Sequence, residues 1–177
     1  DVLISADLSA GWESRFYSDI RSALFDPRYI TVEGKPLLLV YRLDLIPDLP
    51  ATVAAWRHLA RADGLTGLHV LGVIPSRDFG SVSGSELAAL DGLVAFPPGS
   101  SVNLQSISEF LPHGAAGLGG EIYSYDSACK FVPPSVPTGF TGPIYPTVFP
   151  GWDNTARRGT EAYVFHGANP LAFRRWL

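Results

Sequence analysis

Short apolar runs alternate with amphipathic helical patterns along this chain of 177 residues. Continuous apolar runs are typical of strands that are covered on both faces, and strands that alternate with helices favour a parallel sheet. The sequence therefore predicts an α/β fold in which helices connect the strands. The runs cover residues 2–5, 37–41, 68–74, 92–96, 144–149 and 162–165.

Between the first two runs, bulky apolar residues recur at every fourth position, which predicts a helix with one buried face. Further helices are predicted over residues 51–62, after the capping-box residue Ser83, and from Asn169, an N-cap residue that Pro follows. Trp56 and Trp176 have apolar partners at helical spacing, so we expect them in the core. The residues of the first pattern are Trp12, Phe16, Ile20 and Leu24.

Residues 99–142 interrupt this alternation, because Gly, Pro and Ser are frequent there and only a weak helical pattern covers residues 105–111. We expect a long excursion on one face of a single domain that spans residues 1–177. The chain contains no Met, begins in an apolar run and stops in a helical pattern at Leu177. We therefore expect it to be a segment of a longer chain, the rest of which is missing here.

Composition argues against several classes of partner. The formal net charge is −4 and no basic run exceeds a pair, so neither nucleic-acid binding nor polybasic membrane contact is predicted. No apolar stretch approaches the roughly 20 residues that span a bilayer. The single cysteine, Cys129, excludes an internal disulfide framework and a Cys-based zinc site. We predict no metal, no cofactor, no membrane span and a cytoplasmic location.

The densest polar chemistry lies in residues 150–158, a Pro-Gly turn followed by an indole, a carboxylate, an amide, a hydroxyl and two guanidinium groups. This segment separates two apolar runs, so we expect a loop at a strand end, where binding groups are commonly mounted. A flat apolar face beside planar hydrogen-bonding groups suits a polyhydroxylated ligand such as a sugar. The alternative is a surface loop braced by an ion pair between Asp153 and Arg157 or Arg158. The candidate sugar contacts are Trp152, Asp153, Asn154, Arg157 and Arg158.

Other polar residues follow predicted strands at the end where α/β folds bind ligands. In an open doubly wound sheet and in a (β/α)8 barrel alike, ligands bind at the carboxyl ends of the strands. Tyr41, Arg42 and His166 occupy such positions and are added as candidate substrate contacts. No Gly-rich phosphate loop follows the first run, which disfavours a nucleotide-dependent enzyme on an open sheet.

Several motifs occur in one order over nearly the whole chain. They lie at residues 26–30, 34–37, 41–42, 96–98, 150–158, 165–167, 170, 173 and 176–177. This order resembles the WbsX-like proteins, a family of glycosyltransferases of bacterial surface-polysaccharide synthesis that is related to glycoside hydrolase family 99, the endo-α-mannosidase family. The resemblance implies a TIM-barrel-like (β/α)8 fold, here incomplete, of which residues 1–177 form the central to C-terminal part.

The resemblance leaves the catalytic residues unknown. In that family an Asn-Glu-Trp-x-Glu-Gly type segment is expected after the last helix seen here, and a Trp-Ala-Asn-Glu type strand before residue 1. No position of this chain matches either carboxylate segment. A nearby Arg would hold Asp153 ionised, so we assign it to hydroxyl binding or charge stabilisation rather than proton donation. The resemblance does imply a set of residues that face the sugar. They are Trp152, Asp153, Asn154, Arg157 and Arg158, with Tyr41, Arg42 and His166.

The sequence therefore predicts a glycan-active domain of bacterial surface-polysaccharide metabolism, of the lipopolysaccharide or O-antigen type. The reaction would be glycosyl transfer or glycoside hydrolysis, if the full-length chain supplies the missing carboxylates. The expected partner is an oligosaccharide or polysaccharide. The alternative is a non-catalytic glycan-binding or scaffolding domain of a larger polysaccharide-assembly protein.

Overall fold

The computed structural model describes residues 7–74, 82–96, 104–110, 119–129 and 136–177. Their contacts divide the chain into two compact units. The first takes the described residues of 1–73, 80–93 and 136–143, and the second takes those of 74–79, 94–135 and 144–177. The predicted strand at residues 2–5 lies outside the described residues. No helix among the described residues is both long enough and apolar enough to cross a membrane.

The first unit alternates strands and helices as the sequence predicts. Strand β2 (Lys35–Val40) pairs in parallel with β3 (His69–Ile74), and the short strand β1 (Thr31–Val32) pairs antiparallel with β2. With β4 (Gly92–Ala95), the strand order is β1-β2-β3-β4. The last residues of β3 and β4 belong to the second unit. The elements are α1 (Trp12–Leu24), β1 (Thr31–Val32), β2 (Lys35–Val40), α2 (Leu49–Ala62), β3 (His69–Ile74), α3 (Gly84–Leu87) and β4 (Gly92–Ala95).

Local sequence signals fix the ends of these elements. Glu33 and Gly34 have φ angles of 52° and 73°, the left-handed conformation that a two-residue hairpin turn requires between β1 and β2. Helix α2 begins at Leu49, two residues before the predicted start, because the Asp48 carboxylate caps it by accepting the Ala51 N–H at 2.9 Å. Ser83 forms the predicted capping box at the start of α3.

The core of the first unit includes the contact between α1 and α2. Trp56 is 2% exposed, which confirms its predicted place in the core. Its ring lies 4.9 Å from that of Phe16 and 5.7 Å from that of Trp12, and its indole N–H donates to Glu13 O at 3.2 Å. Trp12 is only partly buried, so it is more exposed than its helical spacing predicts.

A half-buried ion pair joins α2 to the residue before β4. Arg57 Nη2 lies 2.6 Å from Asp91 Oδ2, and the same oxygen accepts the Val70 N–H at 2.7 Å. Burial raises the pKa of the Asp91 carboxyl, but the hydrogen bonds from Val70 and Arg57 and the Arg57 charge outweigh it. They hold the Asp91 pKa below its usual range.

Asp91→Asn is expected to lower the free energy of unfolding at pH 7 by about 2 kcal/mol, because Arg57 loses its charged partner. The folded-state pKa of Asp91 lies below its unfolded value of about 3.9, so its stabilisation is present above that pH and disappears as the pH falls further. Urea denaturation at pH 7 and at pH 3 checks both effects. The control Asp126→Asn removes only an exposed ion pair with Arg175 and should change stability by less than about 0.5 kcal/mol. Equal stability losses in the two variants would contradict the prediction.

The second unit contains the end of β4 beside β6 (Ile144–Tyr145). It also contains a separate parallel pair formed by β5 (Glu121–Ser124) and β7 (Tyr163–His166). This pairing corrects the expected excursion over residues 99–142, because residues 121–128 form a strand and a helix. The elements are β5 (Glu121–Ser124), α4 (Tyr125–Ala128), β6 (Ile144–Tyr145), α5 (Thr155–Arg158), β7 (Tyr163–His166) and α6 (Pro170–Trp176).

An aromatic cluster forms the core of the second unit. The fully buried Tyr125 donates its hydroxyl to Phe149 O at 2.6 Å, and its ring lies edge-on to Phe149 and Trp176, each at 5.7 Å. Phe165 of β7 packs against Phe149 at 5.1 Å. Trp176 is partly buried against this cluster, in line with its predicted packing role. The cluster therefore holds β7 and α6 together.

The described residues confirm a mixed α/β fold in which mostly parallel strands alternate with helices. The predicted strand at residues 144–149 is shorter than expected, because only Ile144–Tyr145 pairs with a neighbour. The (β/α)8 barrel and the single-domain assignment stay predictions.

Candidate functional site

The polar segment at residues 151–158 does not leave the sheet as a free loop. Asp153 forms an antiparallel bridge with Val164 of β7. On either side of the bridge, the Phe165 N–H donates to Trp152 O at 2.9 Å and the Asn154 N–H donates to Tyr163 O at 3.4 Å. Residues 152–154 thus lie along β7 on the main chain, like a short additional strand.

This pairing sorts the predicted site residues onto two faces. Side chains alternate between faces along a strand, and residues opposite each other in a bridge share a face. Trp152 therefore shares a face with Phe165, which belongs to the aromatic core. Asp153 and His166 lie on the other face, where both are exposed. These two candidate sugar contacts thus share one face of β7 and the segment paired with it.

The Asp153 carboxylate makes a local turn instead of the expected ion pair. Its Oδ1 accepts the backbone N–H of Thr155 at 2.8 Å. The hydrogen bonds from Thr155 hold the pKa of Asp153 below its usual range, so the carboxylate is ionised at neutral pH. Among the described ion pairs, none involves Arg157 or Arg158, and both side chains are exposed.

Asn154 has a structural role in the same segment. Its amide Oδ1 accepts the Tyr163 N–H at 2.8 Å, which ties the segment to β7. Its carbonyl oxygen accepts the N–H groups of Arg157 and Arg158 at 3.0 and 2.9 Å, which starts α5. The side-chain oxygen is already bonded, and the amide NH2 group is what Asn154 can offer to a ligand.

Trp152 is less available than the sequence predicts. Its indole is partly buried against the aromatic core of the second unit, and its Nε1 is buried without a hydrogen-bond partner. An unpaired buried donor of this kind is uncommon in folded proteins. Packing against the core gives Trp152 a role in stability, while its contact with a sugar stays a prediction.

Tyr41 and Arg42 belong to the first unit, where both are exposed at the end of β2. Arg42 forms a bidentate ion pair with Asp44, with distances of 2.7 Å from Nε to Oδ1 and 2.6 Å from Nη2 to Oδ2. The Arg42 guanidinium holds the pKa of Asp44 below its usual range. Tyr41 and Arg42 line an apolar cleft of about 280 Å³. That Tyr41 and Arg42 contact the same sugar as the candidate residues of the second unit stays a prediction.

No cluster of three or more metal-ligating side chains occurs within the described ranges. The thiol of Cys129 is partly buried and donates to Tyr125 O at 3.3 Å. Burial raises the pKa of this thiol, so it stays protonated at neutral pH. Cys129 is thus a packing residue.

Comparison with known protein families decides the classification. The family model of the glycosyltransferase WbsX matches residues 1–177, the whole chain. The chain belongs to the WbsX glycosyltransferase family.

Curated relatives of this WbsX-family chain agree with that result. It is 30% identical over 182 residues to the uncharacterized protein WxcX of Xanthomonas campestris pv. campestris strain B100, and to WxcX of a second strain of the same pathovar. The alignment covers 100% of this chain and 24% of each relative, so the chain spans about a quarter of the curated relatives it matches. No solved structure matches the chain.

The WbsX-family chain also has cleft-lining residues that sequence reasoning missed. Trp12 and Phe16 line the first-unit cleft, although their recurrence at every fourth position predicts a buried helix face. Leu39 lies in a continuous apolar run, which is typical of a strand covered on both faces, but it is half exposed. Periodicity identifies which side of a helix or strand is apolar, but it does not reveal whether another element covers that side.

Proposed function

We propose that this chain is part of a glycan-active domain in bacterial surface-polysaccharide metabolism, of the lipopolysaccharide or O-antigen type. The reaction is glycosyl transfer or glycoside hydrolysis. The match of the WbsX family to the whole chain supports a polysaccharide-related role. The observation that carries the proposed site is the shared exposed face of Asp153 and His166, with Arg157 and Arg158 following within one helical turn.

These residues have the chemistry to bind a sugar. An ionised Asp153 accepts hydrogen bonds from hydroxyl groups, and hydrogen bonds with a charged partner are about twice as strong as neutral ones. Arg157 and Arg158 offer donors that no ion pair among the described residues occupies, and His166 can donate or accept.

In this proposal Asp153 does not act as the proton donor. Glycoside cleavage needs a carboxylic acid that is protonated at the working pH, whereas Asp153 has a lowered pKa. Its negative charge instead stabilises the positive charge that develops on the sugar ring in the transition state. The acid and its partner carboxylate come from other parts of the full-length protein.

Binding of lipopolysaccharide-derived oligosaccharides to the full-length protein tests the site. Asp153→Asn keeps an oxygen that can accept the Thr155 N–H but removes the negative charge. Arg157→Ala removes one guanidinium group that could donate hydrogen bonds to the sugar. Each is expected to weaken binding about fivefold, measured by isothermal titration calorimetry.

Arg174→Ala is the matched control, because Arg174 is exposed, lies outside the segment and forms none of the described ion pairs. The control should bind like the wild type, and all variants should keep the wild-type melting temperature. Unchanged affinity in both Asp153→Asn and Arg157→Ala would refute the proposed site.

The second candidate is a non-catalytic glycan-binding or scaffolding domain of a larger polysaccharide-assembly protein. It is favoured by the composition of the candidate site, because Asp153 is the one carboxylate among the proposed contacts and glycoside cleavage needs two. Turnover assays on the full-length protein separate the two. An enzyme loses turnover in Asp153→Asn beyond its loss of binding, whereas a binding module shows binding without turnover.

A further inference from the structure

Helix α1 and the residues that follow β2 line two adjacent open cavities in the first unit, which together are called the cleft. Two cavities, of about 510 and 280 Å³, share the lining residues Leu8, Trp12 and Phe16. The buried indole of Trp56 lines the smaller cavity. Together they have the size of a small-molecule site, and all of their lining residues belong to the first unit.

The smaller cavity is strongly apolar. Besides the aromatic rings, its walls include Leu39, Tyr41 and Leu45, which are 52%, 52% and 54% exposed. Single exposed apolar residues are ordinary on protein surfaces, but several that meet around one cleft are typical of a binding site. The backbone after β2 turns through a short 3₁₀ segment, Leu43–Leu45, which places Leu45 at this wall.

The larger cavity adds charged and polar side chains, those of Asp7, Arg15, Ser18 and Asp19, to the apolar residues that it shares with the smaller one. Arg15 Nη2 lies 3.2 Å from Asp7 Oδ2 in an exposed ion pair, and Asp19 is exposed without an ion-pair partner among the described residues. The hydrogen bonds from Ser9 hold the pKa of Asp7 below its usual range, so its carboxylate is ionised at neutral pH. One half of the cleft is therefore apolar and aromatic, and the other half offers carboxylates and a guanidinium group.

We propose that this cleft binds a 6-deoxyhexose ring, a pyranose whose exocyclic carbon is a methyl group. The proposal rests on the proposed function, since it assumes a glycan ligand. The methyl group and one face of the ring lie against Trp12, Tyr41 and Leu45, and the ring hydroxyls point towards Asp7 and Asp19.

The apolar lining selects against ordinary hexoses. A hydroxymethyl group against Trp12 and Leu45 would exchange part of its hydration for apolar contacts, which is costly. The guanidinium group in the lining, that of Arg42, already donates from Nε and Nη2 to Asp44. An N-acetyl group would bring an amide with the same disadvantage. A methyl group has no polar atom to satisfy, so it gains from the burial of apolar surface alone.

The test compares two ligands that differ in one oxygen atom. Binding of methyl α-L-rhamnopyranoside and methyl α-L-mannopyranoside to the full-length protein is measured by ligand-observed NMR titration. The deoxy sugar is expected to bind on the order of tenfold more tightly, the discrimination that one small group gives in an apolar pocket.

Trp12→Ala and Leu45→Asn should reduce this preference to within about twofold. Leu45 is half exposed, so its substitution keeps the fold if Trp12→Ala does not. The control Tyr145→Ala removes an exposed tyrosine of β6 that does not line the cleft, and it should keep the full preference.

Equal affinity for the two sugars would overturn the proposal, and so would a preference that survives in both cleft variants. The proposed function has a separate readout. If binding of lipopolysaccharide oligosaccharides still depends on Asp153 and Arg157 while the rhamnoside preference is absent, only the cleft proposal fails. If the rhamnoside preference depends on Trp12 while Asp153 and Arg157 have no effect, only the second-unit site fails.

Discussion

Gly120→Ala is expected to lower the free energy of unfolding by about 3 kcal/mol, because it separates β5 from β7. A Cβ atom on Gly120 would overlap Ala162 O and would lie 2.7 Å from Ala162 N. These are main-chain atoms, so no side-chain rotation relieves the clash. The same segment is held by the hydrogen bond from the Gly120 N–H to Thr160 O at 2.7 Å. Urea denaturation monitored by circular dichroism measures the loss.

This variant should also lose glycan binding, because β7 carries His166 and is bonded to the segment that carries Asp153. Gly151→Ala is the matched control, since a Cβ at Gly151 would meet only the Ala168 Cβ at 3.4 Å, an ordinary contact. The control is expected to keep its stability within about 0.5 kcal/mol. A Gly120→Ala protein as stable as Gly151→Ala would show that the parallel pairing of β5 and β7 is misassigned.

Trp56→Ala is expected to destabilise the first unit by about 4 kcal/mol, the usual cost of removing a fully buried large aromatic side chain. It removes the ring contacts with Phe16 and Trp12 between α1 and α2, and it leaves Glu13 O without the indole donor. Thermal and urea denaturation measure this loss.

Phe25→Ala provides the comparison, because Phe25 follows α1 but is 44% exposed and contacts the Arg21 guanidinium at 5.1 Å. Its loss should cost about 1 kcal/mol or less. Similar losses in Trp56→Ala and Phe25→Ala would contradict the assignment of Trp56 to the core.

The regular elements of the first unit are those that the sequence predicts best. The strands around residues 37–41, 68–74 and 92–96 and the helices at Trp12–Leu24 and Leu49–Ala62 agree with the structure to within a few residues. Each combines a clear apolar pattern with an end signal such as a capping residue. Local chemistry determines these elements, so a single sequence is sufficient to find them.

Residues 121–128 were missed because their fold depends on a distant partner. Gly119 and Gly120 look like loop residues in the sequence, yet Gly120 is small so that β5 can approach β7. Pairing between segments some 40 residues apart leaves no periodic signal in either one. The same reason explains why residues 152–154 were expected in a free loop.

For the candidate site, the sequence indicates which residues are polar and exposed, but it does not indicate which groups they bond to. Asp153, Arg157 and Arg158 are exposed, as expected for a loop, but the ion pair that the sequence offered as the alternative to sugar contact is replaced by a bond from the Thr155 N–H to Asp153. A carboxylate two residues before an N–H readily closes a local turn. That short-range bond was a predictable competitor of the ion pair. Whether these groups contact sugar stays a prediction.

The course of residues 152–154 along β7 is set by main-chain hydrogen bonds and by the bond from the Tyr163 N–H to Asn154 Oδ1. Of the exposed side chains at 153, 157 and 158, that of Asp153 adds a bond from the Thr155 N–H, which closes a local turn and does not reach β7. We therefore expect many combinations of residues at these three positions to fold equally well. A library randomised there, with Trp152 and Asn154 kept, offers a route to altered carbohydrate recognition on an unchanged backbone.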